Sequence, residues 1–198
     1  MFEKRLVIAI IAGGASLVPA FSQENPGRHE VSAQALGSFV TSTTHDGVDN
    51  KATHSGGVLG NYRFFFSKHH GVEGNYGYAL NTQTYGLSSG VVGVKTHSHE
   101  VSGAYVFRMP MRWITPFALA GAGALIFDPK DMPGIGSQTR AAFGYGGGAD
   151  FAITRRLFAR AQYRGFIYNS PTFDLTALSN VDRVTHRAEP SVGFGYRF

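Results

Sequence analysis

The chain contains no cysteine. Neither a disulfide framework nor a thiolate metal site is therefore open to it. It also has no basic run. The formal charge is +5, but the 18 Lys and Arg are scattered among other residues, which argues against a nucleic-acid partner. Long apolar runs are missing as well: residues 6–18 form one, but a membrane-crossing helix needs about 20 residues. The Gly-rich stretch 144–148 lacks a following Lys-Ser/Thr and any helix opening after it, so it is not a phosphate loop. In a strand it supplies small side chains or a bend.

What is present starts with a leader. Lys4 and Arg5 precede the apolar run, and Ala20-Phe21-Ser22 sets small residues around a cleavage point. This is the pattern of a secretory signal peptide, residues 1–22, cut near Ser22–Gln23. Its removal takes away Glu3, Lys4 and Arg5 and lowers the charge to about +4. Residues 23–198 then form one domain. With 26 Gly, 16 Phe and 9 Tyr in the whole chain, that domain suits many strands with small inward positions and aromatic girdles.

The last thirteen residues set the theme. Ala188, Pro190, Val192, Phe194, Tyr196 and Phe198 fall on one face at period two, with Arg187, Glu189, Ser191, Gly193, Gly195 and Arg197 on the other. An aromatic face backed by glycine, serine and full charges fits a transmembrane barrel, with lipid outside and a polar interior. Seven earlier segments alternate likewise: residues 31–39, 55–66, 72–80, 97–107, 116–127, 141–152 and 157–168. In the fifth, Ala118, Ala120, Ala122 and Ala124 are expected to face a narrow lumen, with Phe117, Leu119, Leu125 and Phe127 outside. Residues 41–53 and 81–95 read as polar loops, though Gly90-Val91-Val92-Gly93 could prolong a strand above the membrane. Residues 108–115 read as an interruption containing Trp113, the only tryptophan, as an interface anchor. Connections alternate long and short, so three short ones fall on the N-terminal side and four long ones opposite. The expected fold is all-β, an eight-stranded antiparallel up-and-down transmembrane β-barrel.

These strands resemble the outer-membrane β-barrel superfamily, which includes the OmpA transmembrane domain, OmpX and the opacity proteins. The likeness covers residues 31–198 and is strongest at Gly71-Val72-Glu73-Gly74, Gly146-Gly147-Gly148-Ala149-Asp150, Ala161-Gln162-Tyr163-Arg164 and Gly193-Phe194-Gly195-Tyr196-Arg197-Phe198. It implies that Phe194, Tyr196 and Phe198 form a C-terminal targeting strand for barrel-assembly machinery. It further implies location in the cell outer membrane of a Gram-negative bacterium, contact with membrane lipid and lipopolysaccharide, and adhesion or envelope integrity as the role. An extracellular ligand or host surface would be met by the loops.

The inward charges form the candidate site. Arg63, Glu73, Asp150, Arg160 and Arg197 fall towards the end with the short turns, and Glu100, Arg164, Arg187 and Glu189 at mid-height or above. Hairpin spacing brings Arg63 to Glu73 and Asp150 to Arg160. A charge in such an interior needs a partner, so the set reads as a salt-bridged plug. Its alternative is a gate, in which Glu189 and Arg164 exchange partners and make the barrel a narrow ion or small-solute channel. His97 and His99 share a face and are zinc-type ligands, but no further ligand completes a site, and neither metal nor cofactor is expected. A lipid-modifying barrel enzyme would need His and Ser on one face; His97-Ser98 and His54-Ser55 put them on opposite faces, so no catalytic residues are assigned. A soluble lipocalin-like barrel would line its cavity with the apolar face and leave the listed charges misplaced.

Overall fold

Alternation of polar and apolar residues buries one row of each strand and exposes the other, and the chain carries this through a closed sheet. The computed structural model describes residues 28–40, 44–45, 48–52, 55–87, 90–129, 137–169 and 184–198. The expected leader, residues 1–22, lies outside the described residues, as do parts of the four long connections. Among the described residues the elements are all strands: β1 (His29–Val40), β2 (Thr44–His45), β3 (Val48–Ala52), β4 (Ser55–Phe65), β5 (His70–Leu87), β6 (Gly90–Arg108), β7 (Ile114–Pro129), β8 (Gln138–Ala152), β9 (Leu157–Asn169) and β10 (Val184–Arg197).

Eight of these, β1 and β4 to β10, each pair antiparallel with their neighbours, and β10 returns to β1. The result is a closed, up-and-down, eight-stranded barrel. Its stagger follows from the pairing. Glu30 pairs with Arg63, Arg63 with Glu73, Glu73 with Ala104, Ala104 with Gly121, Gly121 with Gly144, Gly144 with Phe166 and Phe166 with Arg187. Arg187 meets β1 again at Val40, ten residues beyond the start. A shear of that size tilts the strands by roughly 40° and makes each residue climb about 2.5 Å along the axis. The β1–β10 ladder is interrupted opposite Pro190, which has no N–H to give.

Several elements differ from the sequence expectation. The first strand begins at His29 rather than Val31, so Glu30 is in the sheet. Residues 81–87 and 94–95, read as loop, join 90–93, whose extension the sequence allowed, in continuing β5 and β6 up to the pair Leu87–Gly90, because antiparallel backbone bonds need no apolar side chains. Within the expected loop 41–53, β3 pairs through Asn50 with Tyr85 of β5. Arg108 ends β6 instead of belonging to the interruption after it.

The faces of β7 are opposite to those expected. Phe117, Leu119, Leu125 and Phe127 are buried inside the barrel, and the alanines between them point outward. Both rows of β7 are apolar, so polarity does not distinguish them; volume does. Phe117 and Leu119 stand opposite Gly148 and Gly146 of β8, which leave interior room that large side chains fill. Outside, Ala120 lies between Tyr105 and Tyr145. Three apolar clusters line the interior: Phe65, Val106, Phe117 and Leu119 near the short turns; Leu36, Leu59 and Ala79 on one upper wall; and Leu125, Phe127, Ala142, Phe166 and Tyr168 on the other.

Candidate functional site

Inward positions on the eight barrel strands carry two ionic clusters at different heights. The lower one is built around Glu30. Its Oε1 accepts from Arg108 Nη1 at 2.7 Å and Arg197 Nε at 2.8 Å, and its Oε2 accepts from Arg160 Nη2 at 3.1 Å. Arg160 also grips Asp150 with two bonds, Nε to Oδ1 at 2.6 Å and Nη2 to Oδ2 at 2.8 Å. Arg63 donates to Glu73. The guanidiniums are further held on ring faces: Arg63 lies 4.0 Å and Arg160 5.2 Å from the centre of Phe117, and Arg108 lies 3.4 Å from Phe65.

The upper cluster joins three strands. Arg164 forks onto Glu100 at 2.7 and 2.8 Å and reaches Glu189 at 2.5 Å. Arg187 pairs with Glu189 at 2.6 Å and donates to Ser98 Oγ at 2.8 Å. Forked, charge-assisted bonds of this kind offset the cost of taking the ions out of water. Between the clusters lies a neutral polar layer in which Ser32 bonds Asn61 and Ser191 donates to Gln34 at 3.0 Å.

All nine inward charges named from sequence face the interior, and Arg197 alone among them keeps some exposure, 24% of its side chain. The hairpin pairs Arg63–Glu73 and Asp150–Arg160 are register partners. Glu30 and Arg108 were missed. Extending the alternation by one residue before Val31, and by one residue after Phe107, finds both. The Glu100–Arg164 fork spans 64 residues of sequence and non-adjacent strands, and no local pattern signals it.

The outer face has its own order. Histidine and tyrosine pair across strands: His29 with Tyr62 at 2.6 Å, His97 with Tyr78 at 2.6 Å, His99 with Tyr76 at 2.9 Å, His186 with Tyr145 at 2.9 Å, and His70 with Tyr105. Register on β5 and β6 sets His70 opposite Phe107 and His97 opposite Leu80. The belt near the short turns, His70–Tyr105, and the opposite belt, His97–Tyr78, are eight residues apart along both β5 and β6, about 20 Å along the axis, close to the roughly 25 Å apolar band of a transmembrane barrel. His97 and His99 face outward in these tyrosine pairs, and no group of three or more metal-ligating side chains occurs among the described residues. Ser98 faces the lumen and is bonded to Arg187; it cannot meet the adjacent imidazoles. Trp113 is exposed in the short turn 109–113, beneath Arg112. Phe194 and Tyr196 face outward, and Phe198 stacks on His29 while their backbones bond each other.

Residues 7–198 match the family model described as the outer membrane protein beta-barrel domain. No curated protein matches the sequence. Among solved structures the chain is similar to the outer membrane protein OprG from Pseudomonas aeruginosa, at 13% identity over 89% of this chain and 98% of that one, with a TM-score of 0.62. Neisserial surface protein A is similar at 17% identity over 88% and 100%, TM-score 0.59. Ail, the attachment invasion locus protein of Yersinia pestis, is similar at 21% over 88% and 100%, TM-score 0.53. At these identities the likeness to the solved structures is one of fold.

Proposed function

The chain belongs to the outer membrane protein β-barrel family, whose location is the outer membrane, and from that premise we propose that it is a structural, surface-interacting barrel without an open pore. The observation that carries this reading is the filled lumen. Arg63, Arg160, Arg164, Phe65, Phe127 and Phe158 are the largest of a set of interior side chains each less than 2% exposed. Two ionic clusters, the neutral hydrogen-bonded layer between them and three apolar clusters occupy the cross-section, so a hydrated ion meets side chains already paired with one another or hydrocarbon along its path. The adhesion or envelope-integrity role then falls to the long connections on the side opposite the short turns. Their partner is an extracellular ligand or host surface.

Residues 1–22 act as the export signal in this reading. Phe194, Tyr196 and Phe198 engage the barrel-assembly machinery before closure, and the outer belts seat the barrel among membrane lipid and lipopolysaccharide. No enzymatic role is assigned, because nucleophile and imidazole lie on opposite faces at residues 97–98. The testing experiment is planar-bilayer recording on refolded protein whose unheated band migrates faster than the boiled one. Absence of unitary conductance is the expected result. Steps that change on Glu189→Gln would overturn the reading and make the gate the leading one.

A further inference from the structure

Among the described residues, the charged side chains exposed on the rim formed by the three short turns, residues 66–69, 109–113 and 153–156, are of one sign. With Arg28 at the start of β1 the rim exposes Arg28, Lys68, Arg112, Arg155 and Arg156. Among the described residues, every acidic side chain at this end, Glu30, Glu73 and Asp150, is buried in the lumen. Those three are already shared by Arg63, Arg108, Arg160 and Arg197. The interior therefore does not neutralise the rim but adds to its positive field. The long connections, by contrast, mix signs, as in Asp46 and Lys51 or Lys130 and Asp131.

Large apolar side chains stand among these cations: Met111, Ile153 and Trp113 are 58%, 57% and 68% exposed. Arg112 lies 5.2 Å from the centre of the Trp113 ring, and Arg156 Nη1 donates to Tyr196 OH at 3.0 Å. Each guanidinium is thus held beside a ring that belongs to the membrane interface. Apolar tips immersed in the bilayer and cations at headgroup level are complementary to one kind of surface.

We propose that this rim binds anionic phospholipid headgroups, gathering them from the leaflet that faces the short turns. The inference rests on the outer-membrane reading above, with the short turns on the periplasmic side. Attraction of each Lys or Arg to an anionic headgroup decays within a Debye length, so only lipids in contact with the rim are enriched.

Trp113 is the single tryptophan of the chain, and its fluorescence reports on this rim alone. The full chain is refolded into phosphatidylcholine vesicles holding the same minor fraction of either acyl-brominated phosphatidylglycerol or acyl-brominated phosphatidylcholine. Brominated phosphatidylglycerol is expected to quench about twofold more strongly. That excess should vanish in 1 M salt, where the Debye length is about 3 Å. It should also vanish in an Arg112→Gln/Arg155→Gln/Arg156→Gln variant that keeps its fast-migrating unheated band. If that variant does not fold, the salt series on the unaltered chain still decides. Equal quenching by the two lipids at low salt overturns the proposal, and so does an excess that survives high salt. Conductance plays no part in the readout, so failure here is distinct from failure of the closed-pore reading.

Discussion

Replacing Glu30 by glutamine removes the one carboxylate that three arginines share. Glutamine keeps the shape and its amide oxygen can still accept, but its NH2 turns a donor towards a guanidinium, and Arg108, Arg160 and Arg197 lose the charge that holds them 2.7, 3.1 and 2.8 Å away. Breaking a buried ion pair from one side costs about 3–5 kcal/mol. Two facts place this site at the low end. Arg160 retains its two bonds to Asp150, and the Arg108 and Arg197 side chains are 11% and 24% exposed, so water replaces part of what is lost. A destabilisation of about 3 kcal/mol is expected. With a urea slope of about 1–3 kcal/mol per M, the unfolding midpoint should fall by roughly 1–3 M. The assay is urea unfolding of the refolded barrel, followed by Trp113 emission and by loss of the fast-migrating band. Adding Arg197→Gln to the variant should recover part of the loss by removing one of the crowded cations, which a double-mutant cycle would read. A midpoint shift below roughly 0.3 M would refute the role of Glu30 as the centre of the lower cluster.

Phe117→Ala should destabilise by about 3–5 kcal/mol in the same assay, because it empties the space beneath the Arg63 and Arg160 guanidiniums; a loss below about 1 kcal/mol would place that ring outside the core. Gly121→Ala should lower the yield of the fast-migrating band, since a Cβ there collides with the Gly103 carbonyl oxygen across the β6–β7 pair; wild-type refolding would contradict that backbone approach. Ser98→Ala removes the hydroxyl that accepts from Arg187 and should cost about 1–3 kcal/mol, while leaving any lipid-deacylating activity of the preparation unchanged; loss of such activity would restore the enzyme reading.

How much of this was legible depends on how far apart the interacting residues are in sequence. Hairpin partners such as Arg63–Glu73 and Asp150–Arg160, ten residues apart, follow from alternation and a short turn. The outward aromatics of β10 follow from period two alone. The faces of β7 were not legible, because two apolar rows differ in volume and not in polarity, and volume is judged by the glycines of the strand alongside. The His–Tyr belts escaped notice for a related reason: each pair needs the register between two strands before its members become neighbours.

Sequence by itself determined the strands of the barrel, their number and the inward placement of the charges, since all of these are local properties of a two-residue repeat. Closure decided the rest. Glu30 meets Arg108, Arg160 and Arg197 across 78, 130 and 167 residues, and it does so because the ends of the sheet join with a shift of ten residues. Any other shift would keep every strand and every inward side chain while pairing different charges. The shear is a property of the closed sheet as a whole, and it sets which ions share the lumen and which cations are left exposed at the rim.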